Sequence, residues 1–122
     1  MFSSKKHPKI EMIIGNETVV KGEIISKGTV RIDGRFEGNV AADCVIIGEE
    51  GNILGDVVSK SLIAAGRLTG NVHSSESVEI QPKGEICGDI YTQRLTVADG
   101  GVIEGRSYMQ KNKELAYIPV EA

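Results

Sequence analysis

The sequence predicts an all-β protein, specifically a right-handed parallel β-helix of about six coils with three short strands per coil. Three observations support this fold class. The apolar residues are mostly β-branched, with 15 Ile and 12 Val against five Leu, and such side chains pack well on pleated strands. Glycine is abundant, at 15 of 122 residues, while aromatic residues make up only 4%. A unit of 15–18 residues recurs six times. The length fits one domain.

Each repeat unit has a three-residue apolar step, a short insert and the pattern G-x-h-x-G-x-h, where h is an apolar residue. The six units are MII (12–14) with TVVKGEI (18–24), VRI (30–32) with GRFEGNV (34–40), VII (45–47) with GNILGDV (51–57), LIA (62–64) with GRLTGNV (66–72), VEI (78–80) with GEICGDI (84–90), and LTV (95–97) with GVIEGRS (101–107). The insert between the two parts of a unit has one or three residues. The segment that leads to the next unit, the return link, has four or five residues, and these differences account for the variable spacing between units.

The length of the repeat predicts an architecture of stacked coils. Apolar residues alternate at period two within each unit, so each step is a short strand with one inward face. A unit of 15–18 residues accommodates three such strands and their corners, but it is too short for a helical crossover. Successive coils are therefore expected to stack about 4.8 Å apart into a rod roughly 30 Å long. Right-handed winding is the usual hand of parallel connections.

Eleven of the fifteen glycines fall in two columns of the repeat. The central column is expected to form a corner with positive φ, and its members are Gly22, Gly38, Gly55, Gly70, Gly88 and Gly105. The leading column is expected to supply turn residues, and its members are Gly34, Gly51, Gly66, Gly84 and Gly101. Neither column matches a phosphate-binding GxxxxGK[ST] or GxGxxG motif, so both are interpreted as structural.

The run VRIDGRFEGNV, the recurring G-x-h-x-G-[DN]-[VI] steps and the N-terminal MFSSKK resemble the bactofilins, a family of bacterial polymer-forming cytoskeletal proteins. The resemblance covers about residues 1–107. It implies a right-handed, three-sided β-helix between short tails and nucleotide-independent assembly into filaments. It also implies roles in cell shape or in localising cell-wall enzymes, with membrane binding through the first residues in several members.

The two ends of a β-helix expose unpaired backbone groups and an apolar cross-section, which monomeric solenoids usually cover with polar caps. Neither terminal segment of this chain forms a convincing cap. We therefore expect end-to-end self-assembly through coil one and coil six, with like or unlike ends meeting. The predicted polymer interface comprises Met12, Ile14, Val20 and Ile24 in coil one and Leu95, Val97, Ile103 and Tyr108 near coil six.

The predicted domain organisation is a flexible tail (1–11), a β-helix polymerisation domain (12–107) and a second flexible tail (108–122). The first nine residues contain three lysines and no acidic residue beside an apolar start, which favours weak binding to an anionic membrane surface. The predicted membrane-binding residues are Met1, Phe2, Lys5, Lys6 and Lys9. Many copies on one filament would strengthen this binding.

Several other classes of function are disfavoured. The acidic body between residues 10 and 110 lacks the basic, aromatic-rich surface of a nucleic-acid-binding protein. Cys44 and Cys87 lack CxxC or CxxH spacing, so neither a metal nor another cofactor is expected. No signal peptide or membrane span is recognisable, so we expect a cytoplasmic protein at the inner face of the membrane.

Two alternatives remain open. A hexapeptide-repeat acyltransferase is also a β-helix, but it would have a six-residue step and a catalytic histidine. His73 lies just past an inward Val in a predicted return link and His7 in the tail. The second alternative is a monomeric β-helix that binds a partner through a flat side. Large particles in sedimentation would favour the polymer, and we expect no enzymatic activity.

Overall fold

A computed structural model describes residues 10–109, which consist of strands and the turns between them. The strands are β1 (Ile10–Ile14), β2 (Val19–Ile25), β3 (Thr29–Ile32), β4 (Arg35–Ile47), β5 (Asn52–Leu54), β6 (Val57–Ala64), β7 (Arg67–Thr69), β8 (Val72–Ile80), β9 (Glu85–Cys87), β10 (Ile90–Val97), β11 (Val102–Glu104) and β12 (Ser107–Met109). No helix occurs in this range. The predicted all-β class is confirmed.

All strand pairs are parallel, and each joins equivalent positions of neighbouring coils. Along one column, for example, Val45 pairs with Leu62 and Leu62 pairs with Val78. Paired residues are separated in sequence by one repeat unit, and the strands that contain them are parallel. The chain must therefore complete one turn per repeat, so the molecule is a β-solenoid of about six turns. The predicted parallel solenoid is confirmed.

The solenoid has three sides. The first side contains β1, β3 and the C-terminal parts of β4, β6, β8 and β10. The second side contains the starts of β2 and β4, then β5, β7, β9 and β11. The third side contains the end of β2, the middle of β4, the starts of β6, β8 and β10, and β12. Long strands such as β4 therefore turn a corner.

The core consists of inward columns that run along the rod. The second side contributes Phe36, Ile53, Leu68 and Ile86, all fully buried. Next to the apolar column of the third side runs an inward column of small hydroxyl residues. Two of its members, Ser59 and Ser74, hydrogen-bond to each other through their Oγ atoms at 2.8 Å. Because these polar groups satisfy one another, their burial costs little.

The central glycines confirm the predicted corner. All six have positive φ, between 132° and 146°, where the chain passes from the second to the third side. A Cβ on Gly55 would also overlap the carbonyl oxygen of Gly38 in the preceding coil. The leading glycines have no such φ. At Gly66 the requirement is close approach instead, because a Cβ would overlap the carbonyl oxygen of Gly48.

A ladder of Asn and Asp side chains follows the central glycines. The backbone N–H of Asp56 donates to Asn39 Oδ1 (3.3 Å), that of Asn71 to Asp56 Oδ1 (3.0 Å) and that of Asp89 to Asn71 Oδ1 (3.1 Å). Asp56 therefore satisfies a backbone donor at the corner, as the amide oxygens of Asn39 and Asn71 do.

Candidate polymerisation surfaces

The C-terminal end of the rod exposes side chains that are core residues everywhere else. Val97 continues the inward column that contains Ala64 and Ile80, both 0% exposed. Val97 itself is 43% exposed, because no further coil covers it within the described chain. Leu95 and Ile103 are partly buried and pack against the core from the same end. Three of the predicted interface residues thus surround one open cross-section.

Met109 adds an apolar group to this end that the repeat pattern missed. It continues the inward column of small hydroxyl residues, in which Thr92 is its neighbour. Thr92 is 0% exposed, whereas Met109 is 44% exposed. An apolar side chain therefore occupies the C-terminal position of this column, which no described coil covers. Because the described column ends here, Met109 enlarges the apolar surface of the open end.

The N-terminal end is more closed. Ile14 is 3% exposed and Ile24 is 7% exposed, while Met12 and Val20 are partly buried against the core. All four lie in coil one and belong to inward columns, as the repeat predicts. The two ends therefore differ in how much apolar surface they present.

Tyr108 lies outside the cross-section to which the sequence assigned it. Its ring stacks on Tyr91 at a centroid distance of 4.7 Å, and Tyr91 stacks on His73 at 4.6 Å. These rings belong to an outward column on the third side, which we call the lateral column: Ile25, Ala41, Val58, His73, Tyr91 and Tyr108.

The lateral column is strongly exposed. Ile25 is 82% exposed and Val58 is 53% exposed. His73 belongs to this column and lies in strand β8, not in a return link. The repeat pattern G-x-h-x-G-x-h ends one residue before this column, so aligning the next position of each unit would have revealed it.

The second side contrasts with the third because its outward columns carry charges. Arg35 Nε lies 2.8 Å from a carboxylate oxygen of Glu37 in the same coil. Arg67 Nε lies 3.8 Å from a carboxylate oxygen of Glu85, its neighbour in the next coil. Such exposed pairs contribute little stability but keep a surface hydrated. The apolar lateral column therefore distinguishes the third side from the second.

A cluster of Glu85, Cys87 and Glu104 lies on the second side. The single proton of the Cys87 thiol can be donated to Glu85 (3.5 Å) or to Glu104 (3.6 Å). Partial desolvation, followed by the hydrogen bond and negative charge of Glu85, raises the pKa of this thiol. A thiol with a raised pKa remains protonated at neutral pH and is a poor nucleophile or metal ligand.

The predicted membrane-binding residues (Met1, Phe2, Lys5, Lys6 and Lys9) and most of the predicted tails lie outside the described residues. Within residues 10–109, no helix has the length and apolar character needed to cross a bilayer.

Comparison with known proteins gives two findings. A sequence model of the bactofilin family, described as polymer-forming cytoskeletal proteins, matches residues 12–108. The structure is similar to a chain from the cryo-EM reconstruction of Thermus thermophilus bactofilin double helical filaments. That match has a TM-score of 0.71 and 25% identity, covering 82% of this chain and 100% of the other. No curated protein sequence matches this chain.

The match to the family extends over most of the chain and includes all six repeat units. It agrees with the resemblance carried by the glycine steps and with the solenoid that those steps produce. The protein therefore belongs to the bactofilin family of polymer-forming cytoskeletal proteins.

Proposed function

We propose that this protein assembles end to end into nucleotide-independent filaments through the exposed cross-sections of coil one and coil six. The observation that carries the proposal is the exposure of Val97 and Met109, whose column neighbours Ile80 and Thr92 are fully buried. Stacking another subunit on this end buries apolar surface and extends the strand pairing. Burial contributes about 25 cal/mol per Å² before the cost of association. A contact that does not close on itself produces a filament.

The proposed interface residues divide between the two ends. Met12, Ile14, Val20 and Ile24 are proposed for coil one, and Leu95, Val97, Ile103 and Met109 for coil six. Tyr108 borders the coil-six contact from the outer surface, where its ring stacks on Tyr91. Like and unlike ends are both compatible with this assignment.

The matched variants Leu95→Asp and Thr96→Asp test the end-on contact. Leu95 packs against the core from the open end, whereas Thr96 is its exposed, outward-facing neighbour. Electron microscopy and sedimentation should show filaments for the wild type and for T96D, but none for L95D. Circular dichroism should show that L95D remains folded. Filaments of L95D that match the wild type would contradict the proposal.

We also propose that the filaments bind anionic membranes through Met1, Phe2, Lys5, Lys6 and Lys9. An apolar start beside three lysines supports this, at about 1 kcal/mol per lysine near an anionic surface. Strands β1 and β12 include residues 10–11 and 108–109 of the predicted tails (1–11 and 108–122), so the proposed tails are residues 1–9 and 110–122. Deleting residues 2–9 should abolish flotation with phosphatidylglycerol vesicles while filaments persist. Phosphatidylcholine vesicles are the control for charge. Undiminished flotation of the truncated protein would contradict this role.

In the cell, we propose a non-enzymatic scaffold that supports cell shape or localises cell-wall enzymes at the membrane. Membership of a cytoskeletal family supports this role. Replacing the wild-type gene by L95D should change the cell outline or disperse a wall enzyme, as seen by fluorescence microscopy. An unchanged outline with unchanged enzyme positions would contradict it.

The similar Thermus thermophilus bactofilin chain comes from double helical filaments, which supports lateral pairing of two filaments here as well.

A further inference from the structure

The lateral column (Ile25, Ala41, Val58, His73, Tyr91 and Tyr108) runs along the third side from coil one to coil six. Each position pairs directly with the next one in register. Its length is five coil spacings, or roughly 24 Å. Because the column reaches both end coils, end-on assembly with the third sides of successive subunits aligned would extend it along the filament. A continuous apolar surface of this kind marks an interaction site.

We propose that the lateral column is the surface through which two filaments pair, its occupant being the lateral column of a second copy in antiparallel orientation. The proposal rests on the filament assembly proposed above. To that assembly, the proposal adds which surface makes the lateral contact, what occupies it and in which register the two copies face each other.

The sizes of the side chains along the column support the antiparallel register. In this register coil one faces coil six, coil two faces coil five and coil three faces coil four. The large ring of Tyr91 then lies opposite the small Ala41 of the second copy, and Val58 lies opposite His73. In a parallel register Tyr91 would instead meet Tyr91, and Ala41 would face Ala41 across a gap. Close packing requires large groups to face small ones.

The surface around Ala41 has the hollow that this register requires. A groove of about 490 Å³ lies on the third side, bordered by Ile25 at one end and Tyr91 at the other. Ala41, Val58 and His73 lie between these two side chains in the column and line the groove, with Ala41 the smallest of them. The groove therefore provides room for a ring that projects from a second copy.

The charged corner beside the column is compatible with the same register. In the antiparallel arrangement Glu23 of coil one faces Arg106 of coil six, two exposed residues of opposite charge. In the coils between them, each aspartate of the Asn and Asp ladder faces an asparagine. No pair of like charges is brought together, and opposite charges fix the register more than they add affinity.

The contact area explains why this surface would hold filaments together stably, whereas isolated subunits would meet through it only briefly, long enough for a disulfide to trap the contact. A column about 24 Å long and one residue wide buries on the order of a few hundred Å² per subunit, well below a stable interface of about 800 Å² per partner. A filament repeats the contact at every subunit, so weak contacts add up to stable pairing.

The matched variants Val58→Lys and Leu54→Lys test the surface. Both residues lie in coil three and face outward, Val58 on the third side and Leu54 on the second. Electron microscopy should show paired filaments for the wild type and for L54K. V58K should reduce the paired fraction about tenfold, because it places unpaired lysines in the contact, while filament length stays unchanged. Loss of length would indicate the end-on contact instead. Paired V58K filaments, or equal loss of pairing in L54K, would overturn the proposal.

A swap of sizes tests the register. Ala41→Tyr alone should disrupt pairing, and Ala41→Tyr combined with Tyr91→Ala should restore it, since each ring again faces an alanine. Failure of the double variant to restore pairing would overturn the antiparallel register.

Cysteine crosslinking tests the same contact whether or not filaments form. In a background with Cys44→Ala and Cys87→Ala, an Ala41→Cys chain mixed with a Tyr91→Cys chain should form 41–91 disulfides between chains. Predominant 41–41 and 91–91 products would indicate a parallel register, and the absence of crosslinks would overturn the lateral contact. If the wild type forms no filaments but the crosslinks appear, the proposed function fails and the lateral contact stands.

Discussion

The middle coils and the two end coils are built from the same repeat, yet their inward residues have different surroundings. Leu62 and Leu95 belong to one column and are the same residue type. Leu62 is 0% exposed because coils lie on both sides of it, whereas Leu95 is only partly buried. The glycine corner differs in the same way. A Cβ on Gly55 would overlap the preceding coil, but a Cβ on Gly22 would meet nothing within 4 Å.

This difference shows that one repeat position serves two purposes. In the middle of the rod an inward apolar residue stabilises the fold, because the neighbouring coils of its own chain cover it. At the ends, we propose, the same residue type stabilises assembly, because another subunit covers it there. Substitutions at equivalent positions should therefore separate stability from polymerisation.

The largest effect is expected for Leu62→Asp. An aspartate at this fully buried position has no partner, and we expect it to cost more than about 4 kcal/mol and to unfold the rod. Circular dichroism at low protein concentration should show loss of the β signal. L95D, the same change in the same column, should retain that signal. If both variants unfolded, the distinction between middle and end coils would be wrong.

Blocking one end should limit assembly to pairs. Val20→Asp closes the coil-one end and Ile103→Asp closes the coil-six end of the same column. Sedimentation should show no species larger than a dimer for either variant, because growth requires two functional ends. If unlike ends meet, each variant is monomeric and the mixture forms heterodimers. If like ends meet, each variant forms its own dimer. Long filaments from either variant would refute the assignment.

An alanine at the glycine corner should cost more in the middle of the rod than at its end. Both Gly22→Ala and Gly55→Ala impose a φ that is unfavourable for alanine, on the order of 1–3 kcal/mol. Only G55A adds an overlap with the backbone of the preceding coil. In the unpolymerised L95D background, thermal unfolding should show a clearly larger loss for G55A. Equal losses would mean that φ strain alone requires glycine here.

The smallest effect concerns an exposed ion pair in coil two. Arg35 donates a hydrogen bond to Glu37 and holds the pKa of that carboxyl below its usual range. A lowered pKa gives stability that is present at neutral pH and is lost as the pH falls through the folded-state pKa. Carboxyl NMR titration should show the lowered pKa, and Arg35→Gln should raise it towards the usual range, with Lys21 still lowering it slightly. An unchanged pKa of Glu37 in R35Q would contradict the role of Arg35 in lowering it.

Sequence periodicity was sufficient for the architecture but not for all of the surfaces. The six units, their spacing and the central glycines predicted the solenoid and its corner, because a stacked coil constrains every equivalent position in the same way. The lateral column was missed because a residue just past the repeat pattern has no required type, as His73 and Ala41 illustrate. Tyr108 was assigned to the end although it directly follows Ser107, the last inward position of the sixth unit, where period-two alternation already places it outward.

By itself, the sequence determined that the chain winds into a rod with an aliphatic interior, since period-two alternation and a regular repeat allow few other arrangements. Only the tertiary structure decided how open each end is. It buried Ile14, left Val97 and Met109 exposed and aligned separate outward residues into one apolar column. These features depend on which side chains neighbouring coils cover, and that coverage exists only after the coils have stacked.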